Sequence, residues 1–126
     1  MGDEDATPRG IKNGDVVTVF NEQGAVLAGV CVMERVIPGA VSMDHGAKYA
    51  PIVPDALDRG GNINAIVPGN TTSKNAVGMV VSGFLAQVEK ADLEGFRSKY
   101  PEAFARPLHR SAGPNLEAWL ETGACR

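Results

Sequence analysis

Residues 15–32 read DVVTVFNEQGAVLAGVCV, and this stretch decides the fold. Its first part, Asp15–Phe20, is rich in β-branched and aromatic residues, and Asn21–Gly24 has the composition of a tight turn. Ala25–Val32 is apolar at successive positions, so both faces of an extended segment would be apolar. The pattern predicts a β-hairpin whose second strand is buried against more than one layer.

The segments on either side of the hairpin predict short elements joined by turns. Asp5 is suited to cap a short turn that ends at Gly10. We expect short strands over Ala40–Met43 and Leu85–Lys90, and the prolines and glycines of residues 51–69 exclude a long helix between them. Short strands with long irregular crossings favour a closed β-barrel or sandwich over a doubly wound sheet.

The C-terminal part has a different character. Asp92 is suited to cap a helix over Leu93–Tyr100, which Pro101 is expected to end, and a second, weaker helical pattern covers Leu116–Leu120. The chain is therefore predicted to divide into a β-rich domain and a peripheral helical tail, residues 1–91 and 92–126.

Composition excludes several classes of function. The net charge of −3 and the pI of about 5.3, without any cluster of Lys and Arg, argue against nucleic acid or an anionic membrane as partner. Cys31 and Cys125 have neither metal-ligand spacing nor a convincing disulfide framework. Acidic residues follow Met1 where a leader would be basic and then apolar. The organised pattern that starts at Asp5 suggests a piece cut from a longer polypeptide.

A polar stretch, residues 59–83, reads RGGNINAIVPGNTTSKNAVGMVVSG and crowds amides and hydroxyls between glycines. Buried without partners, such groups each cost about 1–3 kcal/mol, so something must satisfy them. Water and backbone would do so in an ordinary surface loop. The other reading is a ligand rich in hydrogen-bonding edges and phosphates.

The fragments DATPRGIKNGDVVTVFNEQGAV, ERVIPGAVSMDHG, GGNINAIVP, SKNAVGM and LAQVEK occur in this order and carry a family resemblance. Over roughly Asp5 to Lys90, the chain resembles the C-terminal molybdopterin-dinucleotide-binding domain of the dimethyl sulfoxide reductase superfamily of molybdenum and tungsten oxidoreductases. HGAKYAPI, LDRGGNIN and TTSKNAVGMVVSGFLAQVEK look most similar to the branch of pyrogallol–phloroglucinol transhydroxylase, acetylene hydratase and catechol dehydroxylases. The resemblance implies a mainly β fold, a six-stranded double-psi β-barrel of the aspartate-decarboxylase type, with short helices and a helical C-terminal tail.

The resemblance also implies a function. The chain would be the cofactor-binding domain of a large subunit and would hold bis-molybdopterin guanine dinucleotide with molybdenum or tungsten. The metal ligand and the substrate pocket would lie in other parts of the enzyme, so the chain alone is expected to be inactive. The implied partners are the remaining domains of the large subunit and, in addition, an iron–sulfur subunit.

The resemblance assigns candidate site residues one by one. The family's NxLTP motif matches NAIVP, so Asn64 inherits a hydrogen bond to a pterin, while Val67 stands where a threonine is usual. Ser82 stands where the family often has a cofactor-contacting lysine. For Asn62, cofactor contact and a turn role remain open. The other candidates, each with a surface or structural alternative, are Thr72, Ser73, Lys74 and His45.

Two other classes of double-psi barrel provide alternatives. One is a free-standing nucleotide-binding or protein-interaction module without redox chemistry. The other is a small self-processing decarboxylase, which would need a serine at a strained cleavage turn, commonly Gly-Ser. The chain contains no Gly-Ser pair. The ordered series of fragments favours the cofactor-binding domain over both.

Overall fold

The architecture is mainly sheet. The computed structural model describes residues 1–79 and 82–105. One sheet has five strands in the order β3-β4-β2-β1-β7, and β5 and β6 form a separate two-stranded sheet. The strands are β1 (Val16–Phe20), β2 (Ala25–Gly29), β3 (Pro51–Val53), β4 (Leu57–Asp58), β5 (Thr71–Ser73), β6 (Ala76–Met79) and β7 (Gln87–Lys90).

The helices of the described residues are short. A helix α1 (Asp3–Ala6) continues into a 3₁₀ turn, Thr7–Arg9, and a second 3₁₀ turn covers Ile63–Ala65. Helices α2 (Leu93–Lys99) and α3 (Pro101–Ala105) follow β7. Within the described part of the chain, no helix has the length and hydropathy to cross a membrane.

The predicted hairpin is confirmed. β1 and β2 pair antiparallel, with Val16 opposite Gly29 and Phe20 opposite Ala25. Val26 and Leu27 are neighbours in β2 and both are fully buried, which confirms burial on two faces. β2 ends at Gly29 instead of Val32. The Val30 amide still donates to the Asp15 oxygen, but the Val30 oxygen accepts from the Gly14 amide and the Val32 amide donates to the Asn13 side chain, so the regular ladder stops there.

The sheet is mixed. β7 adds antiparallel to the free edge of β1, with Val19 opposite Val88, whereas β4 adds parallel to β2, with Val26 opposite Asp58. The mainly β class is therefore confirmed. The described strands form an open sheet and a separate hairpin, without a closed barrel.

The main core cluster lies on one face of the sheet and joins β1, β2 and β7 to residues near the N-terminus. Ile63 and Ile66, which flank the second 3₁₀ turn, pack into it, so the polar stretch is attached to the core at this point. The clustered side chains are Met1, Ala6, Ile11, Val17, Val19, Val26, Val30, Ile63, Ile66 and Val88.

One predicted strand is absent, and one predicted helix end is confirmed. Ala40–Met43 is not a strand: Ala40 bonds back to Ile37 across a turn, and Val41 is exposed. The helix predicted over Leu93–Tyr100 is α2, which ends at Lys99, before Pro101. Pro101 itself begins a separate helix, α3, where its missing amide hydrogen has no cost.

The cap of α2 and the last strand are confirmed, and other predictions lie outside the described residues. Asp92 caps α2 by accepting a hydrogen bond from the Gly95 amide, as predicted, and the last strand is confirmed from Gln87 onward. The predicted helix at Leu116–Leu120 and the tail thiol Cys125 lie outside the described residues. The division into residues 1–91 and 92–126 stays a prediction.

Candidate functional site

A cleft of about 360 Å³ opens beside β4 and the second 3₁₀ turn. One wall comes from Tyr49 and the turn between β3 and β4, and the other from residues 62–67. Its lining combines carboxamides, carboxylates and one phenol with small apolar side chains. The lining residues are Gln23, Tyr49, Asp55, Ala56, Leu57, Asp58, Asn62, Asn64, Ala65 and Val67.

The wall that carries Asn62 and Asn64 has a specific local structure. The Asn62 side-chain oxygen accepts a hydrogen bond of 3.0 Å from the Asn64 amide, which caps the 3₁₀ turn Ile63–Ala65. Residues 62–64 are therefore not extended, because the asparagine side chain satisfies the first free amide of a turn. The turn buries Ile63 in the core and leaves Asn64 exposed at the cleft.

The opposite wall is fixed by a contact between a side chain and the backbone. The Tyr49 hydroxyl accepts a hydrogen bond of 3.0 Å from the amide of Asp55. Asp55 has a φ of 57°, a conformation that aspartate adopts more readily than most side chains. The tyrosine ring remains half exposed and offers a flat aromatic surface to the cleft.

The hairpin turn closes the end of the cleft between these walls. A side chain at Gly24 would lie only 2.8 Å from the Ala65 carbonyl oxygen. The Asn21 carboxamide donates to the Ile66 carbonyl oxygen at 2.7 Å, and the Ala25 amide donates to the Ala56 oxygen at 2.8 Å. These bonds attach both walls to the β1–β2 hairpin.

Charge at the cleft is negative. Asp55 and Asp58 line it, and none of its lining residues is Lys or Arg. The neighbouring Arg59 packs its guanidinium 5.8 Å from the centre of the Phe104 ring, and burial lowers the pKa of Arg59 while the charge of Asp58 opposes that shift.

Within residues 1–79 and 82–105, no group of His, Cys, Asp and Glu side chains could hold a metal ion. The cleft suits a ligand edge that presents N–H donors, and a phosphate would meet repulsion there.

The predicted site residues separate into two groups. Asn62 and Asn64 lie together in the cleft, whereas Ser73, Lys74, Ser82 and His45 are not among the described side chains that line it. Thr72 and Ser73 lie in β5, Lys74 lies in the turn to β6, and Ser73, Lys74, Ser82 and His45 are exposed. Tyr49, Asp55 and Asp58 were missed as site residues, because only the pairing of β3 with β4 brings them to Asn62 and Asn64.

Comparison with known proteins identifies the family. The Molydopterin dinucleotide binding domain family matches residues 1–80. The dimethyl sulfoxide/trimethylamine N-oxide reductase of Cereibacter sphaeroides is 42% identical over 89 residues, which are 68% of this chain and 11% of the reductase. Trimethylamine-N-oxide reductase 1 of Escherichia coli is 42% identical over 90 residues, 69% of this chain and 11% of that protein. The pyrogallol hydroxytransferase large subunit of Pelobacter acidigallici is 41% identical over 91 residues, 70% of this chain and 10% of that subunit.

These matches define a cofactor-binding domain of the dimethyl sulfoxide reductase superfamily. The chain belongs to the molybdopterin dinucleotide-binding domain family, as its ordered fragments predicted. It spans about a tenth of the length of the curated relatives it matches. Its identity to the reductases and to the hydroxytransferase is nearly equal, so these values do not separate the branches of the superfamily.

Proposed function

We propose that this chain is the C-terminal cofactor-binding domain of a molybdenum or tungsten oxidoreductase large subunit. It holds one guanine dinucleotide portion of a bis-molybdopterin cofactor and provides no catalytic group of its own. The names of its relatives and the short share of their length that it covers support this assignment. The remaining domains of the subunit are its partners, and an iron–sulfur subunit is a further partner that the resemblance implies.

The donor set of the cleft carries the proposal. Guanine and the pterin of molybdopterin share a flat aminopyrimidinone ring, which has both N–H donors and carbonyl or ring-nitrogen acceptors at its edge. Asn62 and Asn64 offer donors and acceptors, Asp55 offers acceptors, and the Tyr49 ring offers a surface for a flat ring. The residues present therefore fit a heterocyclic end of the cofactor.

We assign the remaining candidates to parts of the cofactor outside the cleft. Ser73 and Lys74 lie at the end of the β5–β6 hairpin, where a hydroxyl and an ammonium group suit a phosphate. Thr72, Ser82 and His45 are assigned hydrogen bonds to the cofactor outside the cleft. When bound, the metal–pterin group supplies the redox or group-transfer chemistry, and the residues of this chain bind and orient it.

The family fold is also part of the proposal. We assign this domain to the six-stranded double-psi β-barrel fold, with strands of the five-stranded sheet among the six. The parallel pairing of β2 with β4, which are not consecutive strands, in an otherwise antiparallel sheet supports this assignment. Placement in the branch with transhydroxylases and dehydroxylases remains a prediction from the sequence.

The test is Asn64→Ala in the intact large subunit. The substitution removes a donor and an acceptor at the cleft and should lower the retention of guanine dinucleotide by about 1–3 kcal/mol of binding energy. The measurement is metal and guanosine monophosphate released per subunit after acid hydrolysis, together with the turnover rate. Gln87→Ala is the control, because Gln87 also carries a carboxamide, is exposed in β7 and lies outside both the cleft lining and the polar stretch.

Each outcome has a separate meaning. Activity that falls in step with cofactor content identifies Asn64 as a binding residue. Full cofactor content with lost turnover would give Asn64 a role in tuning the pterin. Unchanged content with unchanged turnover contradicts the assignment.

A further inference from the structure

Asp58 is a buried carboxylate at the base of the cleft. Its exposure is 1%, which places it with Leu27, Val26 and Ile66 among the most completely buried side chains. Burying a carboxylate costs several kcal/mol unless hydrogen bonds replace its water. The buried Asp58 carboxylate therefore needs hydrogen-bond donors within the protein.

Both oxygens of Asp58 accept hydrogen bonds from the backbone, and the two donors lie on opposite walls of the cleft. Oδ1 accepts from the Ala50 amide at 2.6 Å, and Oδ2 accepts from the Asn62 amide at 2.9 Å. Ala50 follows Tyr49 directly in the chain. The Asp58 side chain thus joins the wall that contains Tyr49 to the wall that contains Asn62 and Asn64.

A second hydrogen bond extends this connection to the proposed cofactor contact. Asn62, whose amide is held by Asp58, accepts with its own side chain from the Asn64 amide at 3.0 Å. The position of Asn64 consequently depends on the Asp58 carboxylate through two successive hydrogen bonds.

Asp58 is itself held in place by the core sheet. Asp58 lies in β4, opposite Val26 of the core strand β2, and Val26 is fully buried. The Arg59 amide donates to the Ala50 carbonyl oxygen at 3.0 Å, so both polar groups of the Ala50 backbone are held by this pair of residues. The Asp58 carboxylate therefore holds residues 50 and 62 in a fixed position relative to the core sheet.

We propose that Asp58 is a positioning residue that fixes the spacing of the two cleft walls and the orientation of Asn64 toward the heterocycle of the cofactor. The proposal rests on the proposed function for its consequence in binding. Its geometric part concerns this chain alone. Asp58 makes no contact with the cofactor in this role and acts through Asn62.

Amide exchange in the 126-residue chain, measured by NMR without cofactor, tests the geometric part. In the unsubstituted chain, the Ala50 and Asn62 amides should exchange at least about tenfold more slowly than the same amides in a flexible chain. Asp58→Asn keeps the shape of the side chain, but its NH₂ group faces one of the two amides and removes one bond. Protection of Ala50, Asn62 and Asn64 should fall at least about tenfold, while that of Val19 and Val88 in the central ladder is unchanged.

Asp44→Asn is the matched control, since Asp44 is an exposed acid in the irregular segment before Tyr49. It should leave all these rates unchanged. Rapid exchange of Ala50 and Asn62 in the unsubstituted chain would overturn the proposal, and this measurement is valid even where Asp58→Asn prevents folding. An equal loss of protection at Val19 and Val88 would also overturn it, because Asp58 would then serve only global stability.

A double-mutant cycle in the intact subunit tests the consequence for binding. Asp58→Asn should lower guanosine monophosphate content per subunit, and combining it with Asn64→Ala should cause little further loss, because both changes remove the same contact. Additive losses would overturn a role through Asn64. Unchanged content together with unchanged turnover in Asn64→Ala alone would contradict the proposed cofactor contact of Asn64, whereas the exchange result without cofactor would stand independently.

Discussion

At the scale of single residues, Gly60 defines how closely the chain segments approach at the base of the cleft. A Cβ atom at Gly60 would overlap the Lys48 carbonyl oxygen, which belongs to the backbone and cannot rotate away. Gly60→Ala should therefore force residues 48 and 60 apart and lower the free energy of unfolding by about 1–3 kcal/mol. Urea unfolding of the 126-residue chain measures this change.

Gly69→Ala provides the comparison for this prediction. A Cβ at Gly69 meets no atom within 4 Å, and its φ does not lie in the left-handed region. The same substitution there should be neutral or raise stability by about 0.4–1 kcal/mol, since alanine has fewer unfolded conformations to lose. Equal effects of the two substitutions would contradict the close approach at Gly60.

At the scale of elements, an ion pair joins the beginning of β1 to the end of β7. The Lys90 ammonium group donates to the Asp15 carboxylate at 2.9 Å, and the Lys12 amide donates to the same oxygen at 2.8 Å. These hydrogen bonds, the one from Lys90 first, lower the pKa of Asp15 below its ordinary value, and burial opposes the shift only in part. The pair therefore stabilises the fold only while Asp15 is ionised.

The pH dependence follows from the direction of this shift. Stability from Asp15 is fully present above its unfolded pKa of about 3.9 and is lost as the pH falls through the lower pKa of the folded state. Because Lys90 is 54% exposed, solvent screening limits the contribution to about 0.2–1 kcal/mol. The difference in unfolding free energy between the unsubstituted chain and Asp15→Asn should be constant near neutral pH and shrink below about pH 4. A difference that grows on acidification would contradict this assignment.

The elements also show what the sequence could predict. β1, β2 and β7 have strong local patterns, and their alternation and turn residues were sufficient to place them. β3 and β4 are only three and two residues long and contain proline and aspartate, so no local signal identifies them. Their existence depends on pairing with each other and with β2, which is information that a local pattern does not contain.

The candidate site has the same limit. Asn64 was predicted because it lies in a recognisable motif, and the turn role that was left open for Asn62 is present, since its side chain caps a 3₁₀ turn. Asp58 could not be recognised as a buried acid, because a single acidic residue in a loop is usually solvated. Its role arises from amides at positions 50 and 62 that only the folded chain brings to it.

At the scale of the whole molecule, the residues that form the core and the residues predicted to bind the cofactor lie in different parts of the structure. The core cluster joins β1, β2 and β7 to residues near the N-terminus, whereas most of the predicted cofactor residues lie outside it. Among the described side chains of residues 59–79, Ile63 and Ile66 lie in the core cluster and Val67 packs against it. The β5–β6 hairpin forms its own two-stranded sheet, and such hairpins are marginally stable without further packing.

This arrangement predicts an unequal distribution of local stability in the 126-residue chain without cofactor. Amides of the β1–β2 and β1–β7 ladders should exchange most slowly, and those of residues 70–79 should exchange at least about tenfold faster, since the β5–β6 hairpin pairs only with itself within the described residues. In the intact subunit, loading the cofactor should slow exchange in residues 62–79 and leave the β1–β2 ladder unchanged, because a bound ligand stabilises the segments that it contacts. Hydrogen exchange followed by mass spectrometry, on loaded and cofactor-free subunit, measures both differences. Equal protection of residues 62–79 and Ala25–Gly29 in the chain alone would contradict the prediction, because the polar stretch would then be as stable as the core without any ligand.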